Sequence, residues 1–101
     1  MAELIWSERA IADIEEIYDY ISADSPIYAR FQIENITSSA ERLHQFPESG
    51  RHIPEFPYLP HREVISGNYR VIYRYDAAAG EIKIVTVVHG RRLIDKASLD
   101  E

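Results

Sequence analysis

The chain contains no cysteine, so neither a disulfide nor a thiolate metal site is open to it, and a reducing, cytoplasmic setting is expected. No apolar run approaches the roughly 18 residues that read as a membrane span, so no membrane association is expected. The opening "MAELIWSERA" has no basic region followed by an apolar stretch and does not read as a secretory signal. Lysine is nearly missing too: two residues against nine arginines. His44, His52 and His61 are scattered through helix and loop without metal-ligand spacing, so no metal and no cofactor is expected.

What is present is apolar enough to fold: 46% of 101 residues are hydrophobic, which predicts one domain over residues 1–101 with a single modest core. The net charge of −6 argues against non-specific nucleic-acid binding. That charge is unevenly spread. Residues 1–50 hold three arginines and ten acids, a net of −7, whereas residues 51–94 carry a net of +3. Arginine is the residue of choice where a planar fork must grip carboxylate, phosphate or carbonyl groups, so function is sought in the second half.

"ELIW" at residues 3–6 predicts a short strand. Ser7 can then cap a helix whose apolar positions Ala10, Ile14, Ile17, Tyr18 and Ile21 recur at helical spacing as far as Ala23. Ser25 is the next cap, with Pro26 at the first helical position. Ala29, Ile33, Ile36, Ala40 and Leu43 form the stripe of a second helix, stopped by Pro47. Four prolines in "PESGRHIPEFPYLP" exclude helix and central strand over 47–60 and predict a stiff loop pinned by Phe56 and Tyr58. "HREVIS" and "YRVIYRYD" flank Gly67-Asn68, a two-residue hairpin turn, and "AAAG" leads into the last strand, "EIKIVTVVH". The tail "LIDKASLDE" is weakly patterned and expected to be mobile or dependent on a partner. The expected fold class is α+β: an N-terminal strand and an antiparallel two-helix hairpin packed on one face of a small antiparallel sheet, in the order β-α-α-β-β-β.

Register decides which charges meet. Pairing Ser66 with Tyr69 puts Val64 opposite Val71 and Glu63 opposite Ile72. Pairing Asp76 with Glu81 puts Ile72 opposite Val85 and Arg70 opposite Val87. The helices then cover Val64, Val71, Tyr73, Tyr75, Ile82, Ile84, Thr86 and Val88. The uncovered face holds Glu63, Ile65, Arg70, Ile72, Arg74, Lys83, Val85, Val87 and His89, with His89 diagonal to Arg70. A solvated sheet face accounts for Arg74 and Lys83. Arg70 and His89 instead sit in a partly apolar groove, the usual form of a site.

"WSERAIADIEEIYDYI", "FPESGR", "REV", "YRVIYRY" and "VVHGRR", in this order and spacing across nearly the whole chain, resemble the RelE/ParE superfamily of toxins from bacterial toxin–antitoxin pairs, which serve plasmid stabilisation or stress responses. The resemblance implies the same helical hairpin on a small sheet, and a cognate antitoxin as partner. It is closer to the ParE branch, which implies inhibition of DNA gyrase. The RelE branch would imply cleavage of messenger RNA on the ribosome. In that case Arg70 matches the arginine opening the family's central strand, His89 a catalytic histidine of one ribonuclease subgroup, and Glu55 that subgroup's glutamate. Those three would supply the cation, acid and base that phosphodiester cleavage needs. Taken alone, Glu55 reads as a solvated loop carboxylate. Residues 47–62 contain no lysine where typical RelE toxins are lysine-rich, which favours the gyrase branch. The expected target- or antitoxin-binding residues are Arg51, Arg62, Arg70, Arg74, Arg91 and Arg92. A third possibility is an inactive member kept only to bind antitoxin.

Overall fold

The computed structural model describes residues 2–100. Strand β1 spans Glu3–Trp6 and stops at Ser7, whose Oγ accepts from the Ala10 amide at 3.0 Å and so caps helix α1, Glu8–Ser22. Ser25 repeats the device on the Tyr28 amide at 3.2 Å, and Pro26 opens helix α2, Pro26–Glu41. Helix α2 ends earlier than Pro47: it tightens into a 3₁₀ turn, Arg42–His44, that still buries Leu43.

Four more strands follow: β2, Arg51–His52; β3, Arg62–Ser66; β4, Tyr69–Asp76; and β5, Glu81–His89. The sheet order is β1-β5-β4-β3-β2. Strand β1 lies parallel to β5 and every other pair is antiparallel. Two-residue β2, inside the proline-rich loop, is an element that the proline count had hidden; it sits at the sheet edge, where prolines on either side do no harm. Gly67 turns the β3–β4 hairpin with φ of +58°, and Ser66 faces Tyr69 as the turn length predicts.

Between β4 and β5 the expected register holds from Asp76–Glu81 to Tyr73–Ile84 and then breaks. A β-bulge skips Val85, so Ile72 faces Thr86, Val71 faces Val87, Arg70 faces Val88 and Tyr69 faces His89. The expected pairs Ile72–Val85 and Arg70–Val87 are therefore wrong by one residue. Helix α1 fills the strand edge that β1 leaves at this point. The Ser7 hydroxyl donates to the Val85 carbonyl at 2.7 Å, and the Asp13 carboxylate accepts from the Val87 amide at 3.0 Å and from the Thr86 hydroxyl. The bulge's polar groups are thus satisfied by side chains of the helix instead of by a neighbouring strand.

Two cores result. On the helix side Ala10, Ile36, Ala40 and Leu43 pack on Val71, Tyr73, Ile82, Ile84 and Val87. The opposite face is not open. Ile72, Val85 and Val88 are covered by Ile53, Phe56 and Leu59 of the loop and by Ile94 and Leu99 of the tail. The tail is therefore part of the fold: Asp95 caps a 3₁₀ turn, Lys96–Leu99, and Ile94 and Leu99 are buried.

Candidate functional site

The second core ends at a chain of alternating charges. Strand β2 sets Arg51 across from Glu63 of β3, and the β3–β4 hairpin sets Arg70 diagonal to Glu63 on the same face. Arg51 Nε and Nη2 each lie 2.7 Å from Glu63 Oε2, and Arg70 Nε donates to Glu63 Oε1 at 2.7 Å. The other end of the Arg70 guanidinium is met by Glu55 from the proline-rich loop, at 2.8 Å (Nη1 to Oε2) and 2.7 Å (Nη2 to Oε1). Arg70 Nη1 also donates to the Arg92 carbonyl at 3.1 Å, and the Ile94 amide donates to Glu55 Oε2 at 3.0 Å. The side chains of Glu63 and Arg70 are 0% and 7% exposed and that of Glu55 17%, whereas Arg51 at 65% faces solvent.

The electrostatics follow from this geometry. The hydrogen bonds from Arg70 hold the Glu55 carboxyl down at about 2; burial opposes the shift and the Ile94 amide adds to it. Glu55 in turn raises Arg70 above the ordinary arginine range, again against burial. Glu55 is thus no solvated loop carboxylate but a paired one, ionised at neutral pH. Arg70 is not a free cation at the centre of an open face: four of its guanidinium N–H groups are already committed.

The remaining candidates disperse. The one-residue shift at the bulge carries His89 to the helix side, where its ring meets Tyr69 edge-on at 5.5 Å and its Nδ1 accepts from the Arg91 amide at 3.2 Å. The expected Arg70–His89 juxtaposition does not form. Arg62 Nη1 donates to the Gly50 carbonyl at 2.8 Å and so anchors the loop, and its ion pair is with Glu48. Beside it the Tyr73 hydroxyl donates to the Pro47 carbonyl and accepts from the Gly50 amide; a Cβ on Gly50 would lie 2.6 Å from the Glu63 carbonyl oxygen, so only glycine fits. Arg74 is exposed opposite Lys83, and Arg91 and Arg92 are exposed after β5.

An open groove of about 370 Å³ runs beside the charge chain, with Arg70 and Glu55 at its floor and Arg51, Pro54, Ile65 and Leu93 at its sides. Ile65 and Leu93 are large apolar residues left exposed. Leu93 was not among the expected site residues, because a leucine in a tail of weak pattern carries no signal. Glu63 was legible as a neighbour of Arg70 through the hairpin register alone. Among the described residues no cluster of three or more metal-ligating side chains occurs, and no helix is long and apolar enough to cross a membrane.

Residues 4–94 match the family model of the ParE toxin of the type II toxin–antitoxin system parDE. The chain is 36% identical over 93 residues to toxin RelE2 of Caulobacter vibrioides, covering 92% of this chain and 100% of that protein. Its fold is similar to that in a chromosomal ParDE toxin–antitoxin system from P. aeruginosa, with a TM-score of 0.74 at 23% identity over 88% of this chain and 96% of that one. It is also similar to that in the toxin–antitoxin complex RelBE2 of Mycobacterium tuberculosis, with a TM-score of 0.65 at 18% identity over 87% and 96% of the two chains. The isolated RelE toxin of E. coli gives a TM-score of 0.61 at 15% identity over 92% and 88%.

Proposed function

The chain belongs to the ParE toxin family of type II toxin–antitoxin systems, and we propose that it arrests growth in the cytoplasm by binding DNA gyrase, without cutting RNA. The observation that carries this reading is the saturation of Arg70. A ribonuclease of this fold would need a cation free to hold the scissile phosphate and a proton-transfer group beside it. Here the guanidinium is held by Glu55 and Glu63, and Glu55 with a pKa of about 2 is a feeble base at neutral pH. His89 stands on the other side of the sheet. What the arginine-bearing half offers instead is a binding surface: Arg51, Arg91 and Arg92 exposed beside Ile65 and Leu93. The same surface suits neutralisation, since an antitoxin segment with carboxylates and apolar anchors would cover it; relatives of this fold are known in complex with antitoxins.

The purified toxin is expected to block gyrase supercoiling of relaxed plasmid DNA, with His89→Gln as potent as wild type. Codon-dependent cleavage of ribosome-bound messenger RNA, lost in His89→Gln while supercoiling proceeds, would overturn the proposal. Expression without growth arrest would mark an inactive, antitoxin-binding member.

A further inference from the structure

The segment after β5 has no helix or strand of its own until Lys96, yet it is tied down on every side. The Gly90 amide donates to the Asn68 carbonyl at 2.6 Å, and the Arg92 amide to the His89 carbonyl at 3.0 Å. Arg70 then takes the Arg92 carbonyl and Glu55 takes the Ile94 amide, so the two members of the buried ion pair grip the backbone immediately before and after Leu93. Ile94 is buried; Leu93, one residue earlier, is 82% exposed. An irregular segment normally samples many shapes, and a contact made by it must then offset the entropy of ordering. This one is ordered in advance, with an apolar side chain held out directly after two exposed arginines.

We propose that Glu55 is a positioning residue: with Arg70 it fixes Arg91, Arg92 and Leu93 as a rigid contact tip for a protein segment that carries an apolar side chain flanked by carboxylates. The proposal rests on the reading that the arginine-bearing face meets the target. The chemistry of the occupant follows from the surface: Leu93, Ile65 and Arg51 line the groove, and the exposed Arg91 and Arg92 directly precede Leu93 in the chain. A leucine offers no face for base stacking, and a chain of net charge −6 lacks the basic field that nucleic acid selects, so the occupant is protein.

A double-mutant cycle on the full-length toxin tests this, read both as the concentration that half-inhibits purified gyrase and as growth arrest in a bacterial host. Leu93→Ala and Glu55→Gln are each expected to weaken inhibition by about tenfold, the loss of one anchor in a small interface. In the Leu93→Ala background Glu55→Gln is expected to add less than about twofold, because a residue acting only through the tip has nothing left to position. Amide exchange at Ile94 should speed up in Glu55→Gln while exchange in β4 stays slow. An equal effect of Glu55→Gln in both backgrounds would reduce Glu55 to a fold-stabilising residue and overturn the proposal. So would full potency of Leu93→Glu, a change at an exposed position outside both cores. If wild type arrests growth but leaves gyrase untouched, the gyrase reading fails and the cycle on growth arrest still judges the tip. If wild type does not arrest growth at all, both fall.

Discussion

A cation taken out of water needs oxygen atoms around it, and Arg70 meets three carboxylate oxygens, one from Glu63 of β3 and two from Glu55 of the proline-rich loop. Removing it strands the partners. Arg70→Ala leaves Glu55 without its bidentate partner and Glu63 buried with Arg51 alone, so a loss of about 3–5 kcal/mol is expected in urea unfolding. Arg74→Ala, at an exposed position, is expected to change stability by no more than about 0.5 kcal/mol. Toxicity of Arg70 variants therefore reports folding before it reports contact. The pH dependence has a definite sign. Glu55 has its pKa depressed from 4.5 to about 2 in the folded chain, so its contribution is complete above pH 4.5 and disappears as pH falls through about 2. The contribution is on the order of 2–3 kcal/mol. Unfolding free energies of wild type and Glu55→Gln at pH 5 and pH 2.5 should converge at the lower pH; a constant difference between them would remove Glu55 as the titrating group. Of this network the sequence announced Arg70 and, through the hairpin register, Glu63. It did not announce Glu55's partner, because the path of a proline-rich loop over the sheet is set by which apolar residues find cover, not by local pattern.

At the level of elements, legibility followed the strength of the local signal. Two serine caps, a proline at a first helical position and a Gly-Asn turn each impose one backbone geometry, and the helices and the β3–β4 hairpin stand where those residues put them. The bulge in β5 was hidden for a physical reason. Alternation reveals a register only when one face is wet, and "IVTVV" is apolar on both sides because β5 lies between two cores. The signal that could have located it is Asp13, an acid in α1 that reaches the strand. Asp13→Ala deprives the Val87 amide and Thr86 hydroxyl of their acceptor and is expected to cost about 1–3 kcal/mol. Hydrogen exchange should show the Val87 amide among the first of β5 to open. Protection at Val87 equal to wild type would mean that the bulge is held by packing alone.

The described chain is a sheet with a core on each face, and Ile94 and Leu99 of its tail belong to the second core. Burying Ile94 and Leu99 contributes about 1.5–3 kcal/mol each. A domain of this size has only about 5–15 kcal/mol in all, so truncation after Leu93 removes a large share of it. Loss of toxicity on truncation would follow from unfolding whatever the tail touches. Charge reversal separates the two effects. Arg91→Glu with Arg92→Glu alters exposed side chains, leaves the Arg92 carbonyl available to Arg70, and moves the net charge from −6 to −10. Stability should stay within about 1 kcal/mol of wild type, since surface changes are each worth about 0.5 kcal/mol. Target binding should fall, chiefly through a slower association rate, and should no longer weaken as ionic strength rises, because the net charge of residues 51–94 goes from +3 to −1 and the attractive steering is gone. Association rates of wild type and double variant with the target, at about 50 and 300 mM salt, separate these outcomes: the Debye length shortens by more than half across that range. Wild-type association that ignores salt would show that the +3 charge of residues 51–94 plays no part in finding the target.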